Sequence, residues 1–424
     1  KVRIEGSVAK DTWLSGEPEI DIFMQVPTSM PREAFGTVCL GIAKEATKGF
    51  GQVERFAEHP YLEAFVDSIR VNIVPCYRVE KGEWISATDR TPFHTDYVKP
   101  RLSESLRGEV RLLKKFMKGI GVYGAEIKVG GFSGYLCELL TLHHKSFLEV
   151  LRSFADWKER KLIDYEDYYK GREREAKKIF EEPLIVVDPV DKGRNVASAL
   201  RRGCLDEFVV ASRTFLQNPS SKYFYPPETK AFKPGELVEN MKTRGSTLIF
   251  VTFGKVNAVP DVLWGQLYKS QRSLRKMLRR HDFNVIRSSV WSDEQDFNVL
   301  VFEVEHRFLP TIKRHLGPPV EKRTDCEKFL RKHVASPNTI SGPRVEEGRW
   351  VVEIKRRYTD AAYLLVEKLR NGGRQVGIAN LISRAVSKTL KVHVDGEALK
   401  LYRSNKEFAK FLTRFLLGRP HWIE

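Results

Sequence analysis

The sequence is poor in cysteine and lacks any long apolar run. Its five cysteines are scattered, and no two of them form a Cys-x-x-Cys pair. This argues against a disulfide framework and a zinc site, and it favours buried, reduced thiols in a cytoplasmic protein. No run of about 18 apolar residues and no signal-peptide core are present, so neither a membrane span nor secretion is predicted. Because Lys1 is not a methionine, we expect that an upstream segment has been removed.

Negative charge is also in short supply. Lysine and arginine number 72 against 55 aspartate and glutamate residues, which leaves a formal net charge of +17. Such an excess favours a polyanionic partner, with nucleic acid as the first candidate and an acidic membrane surface as the second. Hydrophobic residues make up 42% of the 424 residues, so the chain is globular, and its length predicts roughly two to four domains.

The segment that opens at Gly6 joins a Gly-Ser turn to a pair of carboxylates. A first strand runs into Gly6 and Ser7, which begin a short helix, and the next strand carries Glu19 and Asp21. Because side chains alternate along a strand, the two carboxylates lie on one face. Two carboxylates beside a helix N-terminus can hold a divalent metal against a triphosphate, and Lys10 can meet a terminal phosphate. A solvated strand face is the plain alternative for an isolated acidic pair.

The pattern of the whole chain predicts an α+β multidomain protein. Residues 1–102 show mixed α/β patterning, and residues 103–216 are mostly helical. The remainder, 217–424, follows a β-α-β-β-α-β order typical of a ferredoxin-like split unit. Its predicted elements are strands at 247–253, 283–290, 298–305 and 350–354 and helices at 262–280 and 309–316. The first of these helices carries a dense basic surface, which the net charge of the chain favours as a phosphate contact over a merely solvated face.

Further motifs follow in a set order. They are VNIVPCY at 71–77, DRTPFH at 89–94, RLLK at 111–114, GVYGAE at 121–126, GFSGY at 131–135, VDPVD at 187–191 and RNVA at 194–197. Together with the Gly-Ser turn and the acidic pair, these motifs resemble archaeal class I tRNA nucleotidyltransferases. Those are the CCA-adding enzymes of the polymerase-β-type nucleotidyltransferase superfamily. The resemblance is strong over residues 1–215 and weaker but continuous beyond them.

The resemblance implies a domain layout and a set of nucleotide contacts. Residues 1–102 would form a catalytic nucleotidyltransferase palm, residues 103–216 a helical middle domain that closes the nucleotide pocket, and residues 217–424 a tRNA-binding body and tail. The nucleotide-binding residues it implies are Gly6, Ser7, Lys10, Thr91, His94, Lys114, Tyr123, Arg194 and Asn195. Among them Arg194, with a tRNA phosphate, would read the Watson–Crick edge of C or A in place of a template base. Taken singly, His94 is more typical of a loop histidine and Lys114 of a solvated helix face.

The resemblance also implies the catalytic and metal-binding residues Glu19, Asp21 and Asn72, with Mg²⁺ as cofactor. Asn72 stands where the family has its third carboxylate. Its amide offers a neutral carbonyl to a metal but can neither take a proton nor supply a negative charge, and the loss of such a group typically costs about 10²-fold or more in rate. An engineered substitution, a naturally degenerate enzyme and a misaligned strand stay open as explanations. Lys10 is a second departure, because the family usually has arginine there.

The sequence therefore predicts template-independent addition of C, C and A to the 3′ end of tRNA from CTP and ATP, weakened by Asn72. The expected partners are the acceptor stem and elbow of tRNA, with no membrane and with a homodimer left open. Three alternatives remain: a poly(A)-type RNA nucleotidyltransferase, a non-catalytic tRNA-binding homologue and a small-molecule nucleotidyltransferase. Incorporation of both CTP and ATP that stops after three additions would distinguish CCA addition from these alternatives.

Overall fold

The structure, a computed structural model, describes residues 1–17, 19–56 and 59–423. The chain divides into two compact units, residues 1–228 joined by the final segment from Arg419, and residues 229–418. Among the described residues, no helix is long and apolar enough to cross a membrane.

The first unit mixes strands and helices throughout. Its elements are β1 (Val2–Glu5), α1 (Gly6–Ala9), β2 (Glu19–Val26), α2 (Leu40–Ala46), β3 (Gly51–Phe56), β4 (Pro60–Val66), β5 (Ile69–Tyr77), α3 (Thr91–Val98), α4 (Glu104–Gly119), α5 (Gly134–His144), α6 (Phe147–Ala155), β6 (Lys161–Asp164), α7 (Glu173–Ile179), β7 (Leu184–Asp188), β8 (Asp191–Asn195) and α8 (Arg202–Gln217).

The first sheet has the strand order β1-β2-β5-β4-β3. Its centre is the parallel pair β2 and β5, in which Asp21 lies opposite Asn72. The alternation of β2 sends Ile20 and Ile22 into the small core beneath α2. Because successive side chains point to opposite faces, Glu19 and Asp21 are left on the other face of the sheet. That face carries the candidate site.

Helices α4, α5, α6 and α8 surround the larger core of this unit. The serines that precede the first three of them, Ser103, Ser133 and Ser146, each accept a hydrogen bond from the backbone N–H three residues on, which supplies one of the acceptors that a helix N-terminus lacks. Beside the helices stands a three-stranded sheet of order β6-β7-β8. The final segment also belongs here, since the buried indole of Trp422 donates to Glu207 at 2.9 Å.

The second unit is built on an antiparallel sheet. Its elements are α9 (Pro234–Arg244), β9 (Thr247–Phe253), α10 (Pro260–Arg280), β10 (Val285–Ser292), β11 (Asn298–Val304), β12 (Ile312–Pro319), α11 (Arg323–His333), β13 (Thr339–Glu346), β14 (Arg349–Lys355), α12 (Ala361–Leu369), α13 (Asn380–Thr389), β15 (Lys391–Val394), α14 (Leu399–Ser404) and α15 (Lys406–Leu417). The order β10-β11-β9-β15 interleaves two β-α-β units. Side chains of β9 enter separate apolar cores on the two faces of the sheet.

One predicted element of this unit is wrong, and another is a strand of a different sheet from the one expected. The segment 309–316 was expected to be a helix, but residues 312–319 form strand β12. The predicted strand at 350–354 is present within β14. It does not join the sheet of β9, β10 and β11, because it forms the centre of a separate sheet of order β12-β14-β13. The fourth strand of the sheet that contains β9 is β15. The apolar residues Leu309, Ile312 and Leu316 have helical spacing, yet Ile312 and Leu316 are exposed and stabilise no helical face.

Candidate active site

The two predicted carboxylates meet Asn72 on the open face of the first sheet. The amide nitrogen of Asn72 donates to Glu19 Oε1 at 2.7 Å and to Asp21 Oδ1 at 2.9 Å. Strands β2 and β5 run parallel and in register, so this contact follows directly from the pairing of Asp21 with Asn72. The uncharged amide N–H group of Asn72 thus bridges the two carboxylates, at a place where a cation would balance their charge.

Two basic side chains, Arg70 and Lys10, offset the negative charge of Glu19 and Asp21. Arg70 donates to Glu19 Oε2 at 2.5 Å, and its other terminal nitrogen lies 3.6 Å from Glu63. Burial raises the pKa of Asp21, and the charge of Glu19 adds to the rise, whereas Asn72, Lys10 and Arg70 oppose it. A cation placed between the two carboxylates would remove the cost of burying them together.

Gly6 allows the first turn to lie directly against Asp21. Its φ is +68°, and a Cβ atom at this position would lie 2.1 Å from Asp21 Oδ2. Any other residue would therefore displace the carboxylate as well as strain the backbone. The glycine of the Gly-Ser turn is required here by a close approach, while α1 itself is only four residues long.

A cavity of about 290 Å³ opens beside this face. It is lined by nine of the predicted site residues, namely Gly6, Ser7, Lys10, Glu19, Asp21, Thr91, His94, Lys114 and Tyr123. Three further residues, which the sequence analysis did not single out, complete the lining: Gly134, Tyr135 and Glu138. The structure therefore brings the Gly-Ser turn and the acidic pair together with residues of the motifs at 89–94, 111–114, 121–126 and 131–135 around one space.

On one side of this cavity, two lysine ammonium groups surround the buried carboxylate of Glu138. Its carboxylate accepts from Lys10 Nζ at 2.5 Å, from Lys114 Nζ at 3.1 Å and from Thr12 Oγ1 at 2.7 Å. Burial alone would raise the pKa of Glu138, but the two lysine ammonium groups outweigh it and lower that pKa to about 2. The cluster carries one net positive charge.

A second buried carboxylate, Asp188, organises the other side. Its Oδ2 accepts from Arg194 at 2.7 Å and lies 2.9 Å from His94 Nε2, while its Oδ1 accepts from the Tyr135 hydroxyl at 3.2 Å. The rings of His94 and Tyr135 are stacked with centroids 4.1 Å apart. Burial lowers the pKa of His94 despite the hydrogen bond to Asp188, so the imidazole is neutral at pH 7.

Three predicted residues, Asn72, Arg194 and Asn195, are not among the described residues that line the cavity. Asn72 lies directly beside it, between Glu19 and Asp21. Arg194 reaches it indirectly through Asp188, and its side chain is 35% exposed. Asn195 is buried, and its side chain accepts from the backbone N–H of Val186 and donates to the carbonyl of Leu184.

The sequence analysis did not identify Glu138, Asp188 or Arg70 as site residues. One signal for Glu138 was available, since it is the single charged residue in the leucine-rich run 136–142 of α5. Buried charges are rare unless they are paired. Its partners, however, lie 128 and 24 residues away in the sequence.

The donor set on the open face fits a divalent cation of the Mg²⁺ type. Among the described residues, no cluster of three His, Cys, Asp or Glu side chains could hold a metal. Mg²⁺ nevertheless binds commonly through one or two carboxylates, with water and substrate phosphates completing its octahedron. Glu19 and Asp21 supply that minimum, and the Asn72 amide can add a neutral oxygen.

The chain is similar to known proteins over most of its length. Residues 108–225 match the model of the second domain of tRNA nucleotidyltransferases, and residues 244–395 match that of the C-terminal domain of CCA-adding enzymes. The chain is 39% identical to the CCA-adding enzyme of Methanosarcina barkeri, over 88% of this chain and 81% of that protein. It is 39% identical to that of Methanothermobacter thermautotrophicus over 97% and 87%, and 40% identical to that of Pyrobaculum neutrophilum over 88% and 84%.

A solved structure, that of E. coli MS115-1 CdnC with ATP, overlaps 53% of this chain and 80% of its own chain. The two sequences are 19% identical, and the TM-score of 0.39 is too low to show a common fold. The three archaeal relatives, in contrast, are similar over most of their length and of this chain. Two domain models and these full-length similarities lead to one conclusion: the chain belongs to the CCA-adding tRNA nucleotidyltransferases.

Proposed function

We propose that this chain adds C, C and A to the 3′ end of tRNA, from CTP and ATP and without a nucleic-acid template. The observation that carries the proposal is the single cavity in which Glu19 and Asp21 face Lys10 and Lys114. A triphosphate needs cations along its length and a metal at its reacting phosphate, and this cavity offers both kinds of group.

In the proposed reaction the tRNA 3′-hydroxyl attacks the α-phosphate in line, and pyrophosphate leaves. Mg²⁺ bound by Glu19 and Asp21 would supply positive charge at the phosphate oxygens and favour the ionised hydroxyl. Ser7 and Lys10 would donate hydrogen bonds to the outgoing phosphates. The phenol of Tyr123 lies at the same wall, and burial raises its pKa, so it stays a neutral donor.

Choice of the base is proposed to rest on Arg194. Its guanidinium presents forked donors in a rigid plane, which suits the acceptor edge of cytosine. Because Asp188 accepts from one nitrogen at 2.7 Å, the guanidinium is oriented before the nucleotide arrives. The neutral His94, held by the same carboxylate, would complete this wall of the nucleotide pocket.

The two-metal form of this reaction uses a third carboxylate, and Asn72 cannot supply its charge. We propose that activity is reduced for this reason. The same observation favours a second candidate function, a tRNA-binding homologue that no longer catalyses nucleotide transfer. A poly(A)-type transferase remains the rival among active enzymes.

We further propose that residues 1–102 form the catalytic palm, residues 103–216 the domain that closes the pocket, and residues 217–424 the tRNA-binding part with its ferredoxin-like sheet. Support for RNA binding comes from α10, where a groove of about 440 Å³ is lined only by cations. These are Arg272, Arg275, Lys276, Arg279 and Arg280. Such a surface suits the phosphates of duplex RNA, such as the acceptor stem and elbow of tRNA. We place the protein in the cytoplasm.

The test is nucleotide addition to a tRNA that ends before its CCA. We expect incorporation of CTP twice and ATP once, followed by a stop, when Mg²⁺ is present. The variant Asp21→Asn, which removes a proposed metal ligand, should lose this addition while it still binds tRNA. Long adenosine tails would instead identify a poly(A)-type enzyme, and tRNA binding with no addition by either this chain or Asn72→Asp would favour the non-catalytic homologue.

A further inference from the structure

Glu138 and the two lysines with which it forms ion pairs are almost completely buried. The exposed fraction of Glu138 is 1%, and those of its partners Lys10 and Lys114 are 6% and 2%. Removing a carboxylate from water costs several kcal/mol, and one good ion pair in low dielectric barely repays it. Here one carboxylate serves two lysines, so the three side chains together keep one positive charge, which interacts with the carboxylate of Asp21 across the cavity.

The hydrogen bonds divide the two lysines by role. The three N–H groups of Lys114 are matched by three acceptors, namely the Thr12 carbonyl at 3.1 Å, the Thr12 hydroxyl at 2.9 Å and Glu138 at 3.1 Å. Lys10 has a single hydrogen-bond acceptor among the described residues, Glu138. An ammonium group carries three donors, so Lys10 keeps two of them for the cavity that it lines.

This accounting favours an anion as the missing partner. The cavity adjoins the open face of Glu19 and Asp21, where the proposed nucleotide would place its reacting phosphate. A polyphosphate that contacts Lys10 would accept hydrogen bonds from the donors that Glu138 leaves unused. Phosphate oxygens are strong acceptors for charged N–H groups.

We propose that Glu138 is a positioning residue for the nucleotide's triphosphate, which holds Lys10 and Lys114 charged and at fixed places on the cavity wall. The inference rests on the proposed function. It assigns direct phosphate contact to Lys10, whereas Lys114 acts by its charge and by fixing Glu138.

Other titratable groups face this cluster. They are Asp21, His94, Tyr123, Tyr135 and Cys137, which interact electrostatically with Lys10, Lys114 or Glu138. Glu19 lines the same cavity.

The test is the equilibrium binding of inorganic tripolyphosphate to the full chain by titration calorimetry, without Mg²⁺ and without tRNA. Between about pH 7 and about pH 9, the tripolyphosphate affinity of each protein is measured. We expect the fall in affinity over this range to be at least about tenfold larger for Glu138→Gln than for the parent chain. Without the carboxylate, two ammonium groups share one neutral amide, and one of them gives up its proton as the pH rises. Lys10→Met should lose affinity at both pH values, and more than Lys114→Gln at the lower one.

Asp89→Asn is the matched control. It also removes a fully buried carboxylate from the first unit, where Asp89 accepts from the backbone N–H of Tyr77 and Ser86, and it should leave the pH dependence of the parent unchanged. If Glu138→Gln does not fold, Glu138→Asp decides the question, because it keeps the charge and moves it. That variant should bind tripolyphosphate at least about threefold more weakly at about pH 7, with the pH dependence of the parent.

A folded Glu138→Gln with the pH dependence of the parent, or Glu138→Asp with unchanged affinity, would overturn the inference. Because these experiments need no nucleotide transfer, they separate it from the proposed function. Tripolyphosphate binding with the expected pattern and no CCA addition would refute only the latter.

Discussion

Asn72→Asp is the substitution that tests the chemistry of the open face most directly. The variant replaces an amide that now donates to Glu19 at 2.7 Å and to Asp21 at 2.9 Å with a third carboxylate. Without metal, it loses both hydrogen bonds and places a third negative charge beside the other two. With metal, it supplies the charge and the proton acceptor that the two-metal reaction uses.

The size of both effects can be estimated. Two unit charges about 5 Å apart at an effective dielectric of about 20 repel by about 3 kcal/mol. Because Glu19 and Asp21 would both repel the new charge, the metal-free variant should be less stable by up to about 6 kcal/mol, or take up a proton to avoid this cost. The gain in rate should be about 10²-fold, the usual contribution of a positioned base, which corresponds to about 2.7 kcal/mol of activation free energy.

Two measurements check this prediction. Single-turnover addition of CTP to a tRNA lacking its CCA should be about 10²-fold faster for Asn72→Asp than for the parent chain. Thermal unfolding should show a larger stabilisation by Mg²⁺ in the variant, because saturation to about 100 times the dissociation constant adds about 2.7 kcal/mol. The control Asn72→Ala removes the amide without adding charge and should be no faster than the parent.

A folded Asn72→Asp that binds Mg²⁺ but adds CTP no faster than the parent would refute the reasoning. Asn72 would then not be the missing metal ligand, and the proposed reduction in activity would have no basis in this strand.

Four further outcomes are expected. The pKa of Glu138 is lowered from 4.5 to about 2 in the folded chain. Its contribution to stability is therefore present above about pH 4.5 and is lost as the pH falls toward 2. Denaturant unfolding should show a loss of about 3 kcal/mol over this pH range in the parent chain but not in Glu138→Gln. Trp422→Ala should lower the unfolding free energy of the first unit by about 3–5 kcal/mol, while Trp422→Phe, which loses chiefly the bond to Glu207, costs less in the same measurement. Arg194→Lys keeps the charge but loses the planar fork, so kcat/KM for CTP should fall by about tenfold or more while tRNA affinity stays constant. The affinity for tRNA should fall steeply with salt, and changing Arg272 and Arg275 to glutamine should reduce the slope of log affinity against log salt by about one for each tRNA phosphate that the variant no longer binds.

Local patterns in the sequence predicted the first sheet well. The alternation in β2 separates Ile20 and Ile22 from Glu19 and Asp21, and the structure confirms that the isoleucines enter the core. Such a pattern needs no knowledge of distant residues, because it follows from the geometry of a single strand. The close approach of Gly6 to Asp21, in contrast, is visible only in the structure, because it joins two separate elements.

Pairings between distant segments were not predictable in the same way. The helical spacing of Leu309, Ile312 and Leu316 suggested a helix, yet β14 provides the backbone partners that make this segment a strand. The fourth strand of the second unit's first sheet lies at 391–394, after an inserted sheet that the sequence did not reveal. Short strands carry little periodicity, and tertiary pairing decides between them.

By itself, the sequence determined the type of chemistry: the Gly-Ser turn, the acidic pair and the ordered motifs placed the chain in its family, and one position, Asn72, set the question of activity. Only the tertiary structure decided how charge is balanced around those residues. Glu138 and Asp188 each hold basic or hydrogen-bonding side chains from other motifs. A buried carboxylate is stable only with such partners. Except for Arg194, which is six residues from Asp188, the partners are far apart along the chain, so folding alone brings them into contact.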